Sequence, residues 1–231
     1  MKAEKSNFLR MSNILTIGYI GEGTTDKRFL GNIIKRTFEK LAFQCQGQIE
    51  VYDPQFFEVP KIPFAEQSLE AAKSSRWLNV LCIHADSDGP SDDDAFRFKI
   101  TPAIQKIIEC EIEVCRNIVA IVPVHMTESW MLADVDLLLE EIGTDKSVEE
   151  LELPNRVRNI ERITNPKATI EKAINIAFAD QPSRRRRGLT ISELYAPLSQ
   201  MISLDKLEML SSYQKFHKCA ENALKELNYL I

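Results

Sequence analysis

The 231-residue chain carries 29 Lys and Arg against 34 Asp and Glu, a net charge of −5, with 44% hydrophobic and 27% charged residues. This globular composition can fill a sizeable core and excludes disordered, collagen-like and coiled-coil classes. Its mild acidity weighs against a protein that coats nucleic acid passively, though not against an enzyme acting on it. At about 150 residues per domain the length accommodates one domain and a substantial extension, or two small domains. Five cysteines, odd in number and without a C-x-x-C pair, suggest neither a disulfide framework nor a zinc site. No signal peptide is legible at the N-terminus, and no apolar run approaches the roughly 18 residues of a membrane span, so a cytoplasmic chain with no membrane partner is expected.

In chain order, residues 14–20 form an apolar run that stops at Gly21-Glu22-Gly23, the pattern of a buried strand ending in a tight loop. Thr24 and Thr25 offer an N-cap, and Phe29, Leu30, Ile33, Ile34, Phe38 and Leu41 recur at helical spacing. A weaker strand is expected over 49–59, interrupted by Pro54, then a helix over 64–74 and a strong buried strand over 77–84 ending at Ala85-Asp86-Ser87-Asp88-Gly89-Pro90. A polar loop with Asp92, Asp93 and Asp94, read as a solvated turn and helix cap, precedes a helix over 102–115. A strand over 117–125 and a helix over 128–142 follow. Nearly all-apolar strands alternating with helices predict an α/β fold with a parallel sheet flanked by helices, over residues 1–145.

Beyond Gly143 the patterns are helical, which predicts a mainly helical C-terminal extension over 146–231. Its charge differs too: residues 1–146 carry 16 Lys and Arg against 23 Asp and Glu, residues 147–231 carry 13 against 11. Four consecutive arginines, 184–187, suit either a phosphate backbone or a solvated linker.

Acidic residues cluster at the strand exits: Glu22 and Asp26 after the first strand, Asp86 and Asp88 after the third, Glu128 after the fourth. In open parallel sheets the ligand site lies beyond the carboxyl ends of the strands, which stand only about 4.8 Å apart. Five carboxylates in one crevice would repel one another unless a hard divalent cation, Mg²⁺ or Mn²⁺, lay among them. Each signal also has a plainer reading. Asp-x-Asp-Gly makes turns, and Asp26 suits the first turn of a helix in its own right. His84 and His125 read as packed imidazoles, and Trp130 as core.

The segments Gly21-Glu22-Gly23-Thr24-Thr25-Asp26 and Asp86-Ser87-Asp88-Gly89 resemble the two signature motifs of the Toprim (topoisomerase–primase) domain. Their spacing is similar to that of the overcoming-lysogenization-defect (OLD) nucleases and small Toprim-like proteins of bacterial defence loci. Glu128-Ser129-Trp130-Met131-Leu132-Ala133-Asp134 resembles a third block of that group, and Asn165-Pro166-Lys167 a later Pro-Lys step. The resemblance covers about residues 14–170. It implies a Mg²⁺-dependent or Mn²⁺-dependent nuclease acting on DNA or RNA, tRNA included, as the effector of an anti-phage system. Glu22, Asp26, Asp86, Asp88 and Glu128 would be metal ligands, Glu22, Asp86 and Asp88 catalytic, Lys167 a stabiliser of phosphate charge and Asp134 a supporting group.

The chain has no Gly-x-x-x-x-Gly-Lys-Ser/Thr loop, so the ATPase of such a system must be a separate ABC-type partner. Position 26 is Asp rather than Gly, against a dinucleotide fingerprint, and Pro90 follows Asp-x-Asp-Gly where haloacid-dehalogenase phosphatases have Thr. The competing function is a Toprim-fold binding or regulatory module without catalysis. The oligomeric state is open, a homodimer included.

Overall fold

The computed structural model describes residues 13–180 and 188–231; the arginine tract lies outside them. The first apolar run forms β1 (Asn13–Leu15) and β2 (Ile17–Ile20), divided at Thr16. Thr16 gives its N–H and hydroxyl to the Asn79 side chain, both at 2.8 Å. After α1 (Thr24–Ala42) the weak second run is likewise divided, into β3 (Ile49–Val51) and β4 (Gln55–Phe56), with Pro54, which lacks an N–H, between them. β1 pairs with β3 and β2 with β4, all parallel.

α2 (Phe64–Ser74) spans the expected residues. The next strand, β5 (Val80–His84), begins three residues later than the apolar run suggested, because Asn79 is committed to Thr16 and Trp77 is exposed. β6 (Ile118–Ile121) completes a parallel sheet in the order β4-β2-β5-β6. The expected strand to residue 125 stops pairing as a regular ladder near Pro123, yet the chain runs on beside the loop after β5: Ser87 N–H donates to the Pro123 carbonyl at 3.2 Å and Asp88 N–H to the His125 carbonyl at 3.1 Å.

The sheet is covered on both faces, as the all-apolar strands require. Ile17, Tyr19, Val80, Cys82, Val119 and Ile121 face one core with α1, while Ile20, Leu81, Ile83 and Ala120 face another with Ala71 and Ala72 of α2. The helix expected over 102–115 is instead a continuous stretch starting at Asp93: α3 (Asp93–Ala95), a π-helical turn (Phe96–Ile100) and α4 (Thr101–Ile108). It stops early because the Arg116 guanidinium takes the carbonyls of Ile108 and Cys110, each at 2.7 Å. The helix expected over 128–142 is two, α5 (Glu128–Met131) and α6 (Val135–Ile142). Asp134 breaks it by turning its carboxylate onto Leu137 N–H as the cap of α6, and Gly143, with φ of 70°, closes α6 in the left-handed conformation.

A 3₁₀ turn (Val157–Arg162), α7 (Pro166–Ala177), α8 (Ile191–Met201), α9 (Leu204–Leu207) and α10 (Ser211–Glu226) complete the described chain. These helices share the α1-side core: Leu194, Leu198, Tyr213, Phe216 and Leu224 are buried in the same cluster as Phe29, Phe38 and Val80. Among the described residues no helix is long and apolar enough to cross a membrane.

Candidate functional site

The order β4-β2-β5-β6 places β4 on one side of β2 and β5 on the other, so the direction of winding reverses between β2 and β5. The strand ends lie close together: Ile20, the last residue of β2, is opposite Ile83 of β5, and His84, the last of β5, is opposite Ile121 of β6. The Gly21–Asp26 loop, the 85–89 loop and the segment leading into α5 therefore emerge side by side at the carboxyl edge, where such sheets bind ligands.

Gly21 is needed by the first loop because a Cβ on it would stand 2.8 Å from the Asp26 Cβ. That proximity lets the Asp26 carboxylate turn back and accept Gly23 N–H at 2.7 Å, so the residue performs the helix-capping role its position allowed. Its other oxygen accepts the Thr127 hydroxyl at 3.2 Å, and the side chain is buried. Asp86 accepts Thr127 N–H at 3.0 Å. Thr127 thus joins the carboxylates that follow β2 and β5.

Between them lies His84, fully buried, with Nε2 3.2 Å from both Asp86 Oδ1 and Thr127 Oγ1. A carboxylate can only accept, so Nε2 carries the proton. Nδ1 is 3.8 Å from Asp26 Oδ2 and has no hydrogen-bond partner among the described residues. Burial works against the charged imidazole, but the Asp86 hydrogen bond and the charges of Asp86, Asp26 and Glu22 outweigh it and raise its pKa. His84 is therefore both a packed histidine and a member of the site.

Glu22 and Asp88 occupy the outer part of the crevice and are exposed. Lys99 stands between them, its Nζ 3.1 Å from Glu22 Oε1, 3.0 Å from Asp88 Oδ2 and 3.1 Å from the Asp86 carbonyl. Burial disfavours this ammonium, yet the Asp88 and Glu22 contacts prevail and raise its pKa, so it stays charged. The 85–89 loop is held in an uncommon backbone: Asp88 and His125 both have positive φ, 55° and 63°, and His125 N–H reaches Ser87 Oγ at 2.7 Å. Beside Asp88 and Lys99 opens a cleft of about 510 Å³ lined by Gly89, Pro90, Asp94 and Phe98.

No family model, no curated protein and no solved structure matches the chain.

Glu128 is buried at the start of α5 and accepts the Tyr195 hydroxyl from α8. Burial, and then the Glu128 hydrogen bond and the charges of Glu128 and Asp26, raise the Tyr195 pKa. The rest of the Glu128-to-Asp134 block reaches away from the crevice to the C-terminal helices. Trp130 packs on Tyr213 and Phe216 and donates its indole N–H to Ser212 at 2.8 Å; Asp134 accepts from Lys206 at 2.6 Å and from Ser203 N–H at 3.1 Å.

Lys167 is exposed in the first turn of α7, and among the described residues no hydrogen bond or ion pair joins it to the carboxylates. It shares a helix face with Glu171, whose charge is felt by Tyr195. Asp92, expected to be solvated, is buried and pinned by Lys215 of α10, 2.7 Å from both carboxylate oxygens.

Lys99, Thr127 and Tyr195 were not singled out by sequence. The one signal available for Thr127 was its place between the fourth strand and Glu128. Among the described residues no three or more His, Cys, Asp and Glu side chains converge in a metal-holding arrangement; the ammonium of Lys99 stands between two of the candidates instead.

Proposed function

We propose that the chain is a Toprim-like, OLD-type nuclease: a Mg²⁺-dependent or Mn²⁺-dependent hydrolase of phosphodiester bonds in DNA or RNA. In this reading it is the cytoplasmic effector of a bacterial anti-phage system and works with a separate ABC-type ATPase. The observation that carries the reading is the placement of Glu22, Asp26, Asp86 and Asp88 on the neighbouring loops that leave the carboxyl ends of β2 and β5, where the winding of the sheet reverses. The donors are hard oxygens suited to Mg²⁺ or Mn²⁺, and the Lys99 ammonium acts as a stand-in cation between two of them.

Glu22, Asp86 and Asp88 would hold the metal, with Asp26 and Glu128 forming the inner acidic wall. When bound, the cation supplies a water of lowered pKa and offsets charge on the scissile phosphate. The chain's own residues fix the frame. Thr127 holds Asp26 and Asp86 in place, His84 keeps Asp86 oriented through Nε2–H, and Tyr195 anchors Glu128 to α8. Lys167 is the candidate for meeting phosphate charge from the α7 side.

The second reading, a Toprim-fold binding or regulatory module, draws support from the same lysine, because an ammonium already answers part of the crevice's charge. Cleavage of plasmid DNA, single-stranded DNA and tRNA, with Mg²⁺, Mn²⁺ or chelator and with or without a partner ATPase, separates the two. The nuclease reading expects metal-dependent cleavage that Glu22→Ala and Asp86→Ala abolish. Variants that cleave like wild type, or no cleavage under any condition, would remove it.

A further inference from the structure

Two loops that leave different strands present their carboxylates to the same point, and the chain supplies a cation there. The three oxygens around Lys99 Nζ, from Glu22, Asp88 and the Asp86 carbonyl, lie at 3.0 to 3.1 Å and match the three hydrogens of an ammonium. Lys99 comes from an unrelated part of the chain, 77 residues from Glu22. It rides on the π-helical turn Phe96–Ile100, a local departure from α geometry of the kind concentrated at functional sites.

On the inner side of the same acidic set, His84 Nδ1 is fully buried, has no hydrogen-bond partner among the described residues and stands 3.8 Å from Asp26 Oδ2. The outer carboxylates are thus satisfied by an internal ammonium, while a polar atom deeper in the site is left without a partner.

We propose that Lys99 is the resident counter-cation of the crevice: it holds Glu22, Asp86 and Asp88 together without metal, and a divalent cation gains these oxygens only by displacing it. The inference rests on the metal-dependent reading above and adds a built-in competitor to it. Without any cation, Glu22 and Asp88 would face each other uncompensated. With Lys99 in place that repulsion is removed, and each incoming metal must break charge-assisted hydrogen bonds before it binds. The device raises the concentration of free metal needed to fill the site.

The test is a calorimetric Mn²⁺ titration of the chelator-stripped full chain, wild type against Lys99→Met, with melting temperatures recorded with and without Mn²⁺. Lys99→Met should bind Mn²⁺ on the order of tenfold more tightly, melt lower than wild type without metal, and gain more from its addition. Lys99→Arg, which keeps the charge, should bind like wild type. Should the Met variant fail to fold, Lys99→Gln provides the same comparison. Equal or weaker Mn²⁺ binding by the uncharged variants, with wild type binding measurably, would overturn the role of Lys99 and leave the metal reading standing. Absence of Mn²⁺ binding by folded wild type and folded variants alike would overturn both.

Discussion

The Thr127 hydroxyl donates to Asp26 Oδ1 at 3.2 Å, tying α1, which follows β2, to the segment after β6 across 101 residues of sequence. Thr127 Oγ1 also lies 3.2 Å from His84 Nε2, and the Thr127 N–H holds Asp86. Replacing Thr127 by Val preserves shape but leaves buried polar atoms of Asp26 and His84 short of a partner. Thr127→Val should lose about 1–3 kcal/mol of stability in denaturant unfolding, with a larger fractional loss of any metal-dependent activity. Thr127→Ser, which restores the hydroxyl, should recover most of both.

The two glycines of the first loop should respond differently. Gly21→Ala places a Cβ 2.8 Å from the Asp26 Cβ, and overpacking of this kind costs about 1–3 kcal/mol. Gly23 has extended backbone, φ of −150°, and its nearest contact for a Cβ is 3.7 Å away, so Gly23→Ser should be neutral or slightly stabilising as a helix cap. Thermal unfolding of the two variants measures the contrast.

Tyr195 carries the C-terminal helices to the acidic wall. Tyr195→Phe removes the donor to buried Glu128 and should cost about 1.5–3 kcal/mol, most of which disappears in a Glu128→Gln background. A double-mutant cycle by urea unfolding gives the coupling; additive losses would show that the contact is not what joins α8 to α5.

Asp134 gives a pH signature. Burial opposes its ionised form, but the Lys206 ammonium and the N–H groups of Ser203 and Leu137 outweigh that and hold its carboxyl below the usual range. Its stabilisation is fully present above the unfolded-state value of about 3.9 and is lost as pH falls through the depressed folded value. The stability gap between wild type and Asp134→Ala should be about 1–3 kcal/mol near neutrality and should close in acid, not in alkali up to pH 9. Denaturant melts at pH 7, 4 and 3 follow it.

Much of the site's framework was legible because it is local. Apolar runs that end at Gly21 and Ala85 mark strand exits, parallel strands put those exits together, and Glu22, Asp26, Asp86 and Asp88 follow by a few residues. What was not legible depends on long-range pairing or on departures from regular periodicity. The π turn that carries Lys99 leaves no trace in a 3.6-residue pattern. Asp134 sits in a helical pattern but caps a new helix, because Lys206 and Ser203 arrive from about 70 residues downstream. Asp92 looks like a loop acid until Lys215 of α10 closes over it.

The most direct test of the account is cleavage by the Glu22→Gln variant. Glu22 is exposed and held only by Lys99 among the described residues, so its amide should fold like wild type while lacking the charge. With saturating Mn²⁺ and a substrate that wild type cleaves, the account predicts a rate loss on the order of a hundredfold or more, no cleavage by either protein in chelator, and unchanged melting to within about 1 kcal/mol. Cleavage by Glu22→Gln at the wild-type rate, or by wild type in chelator, would contradict it.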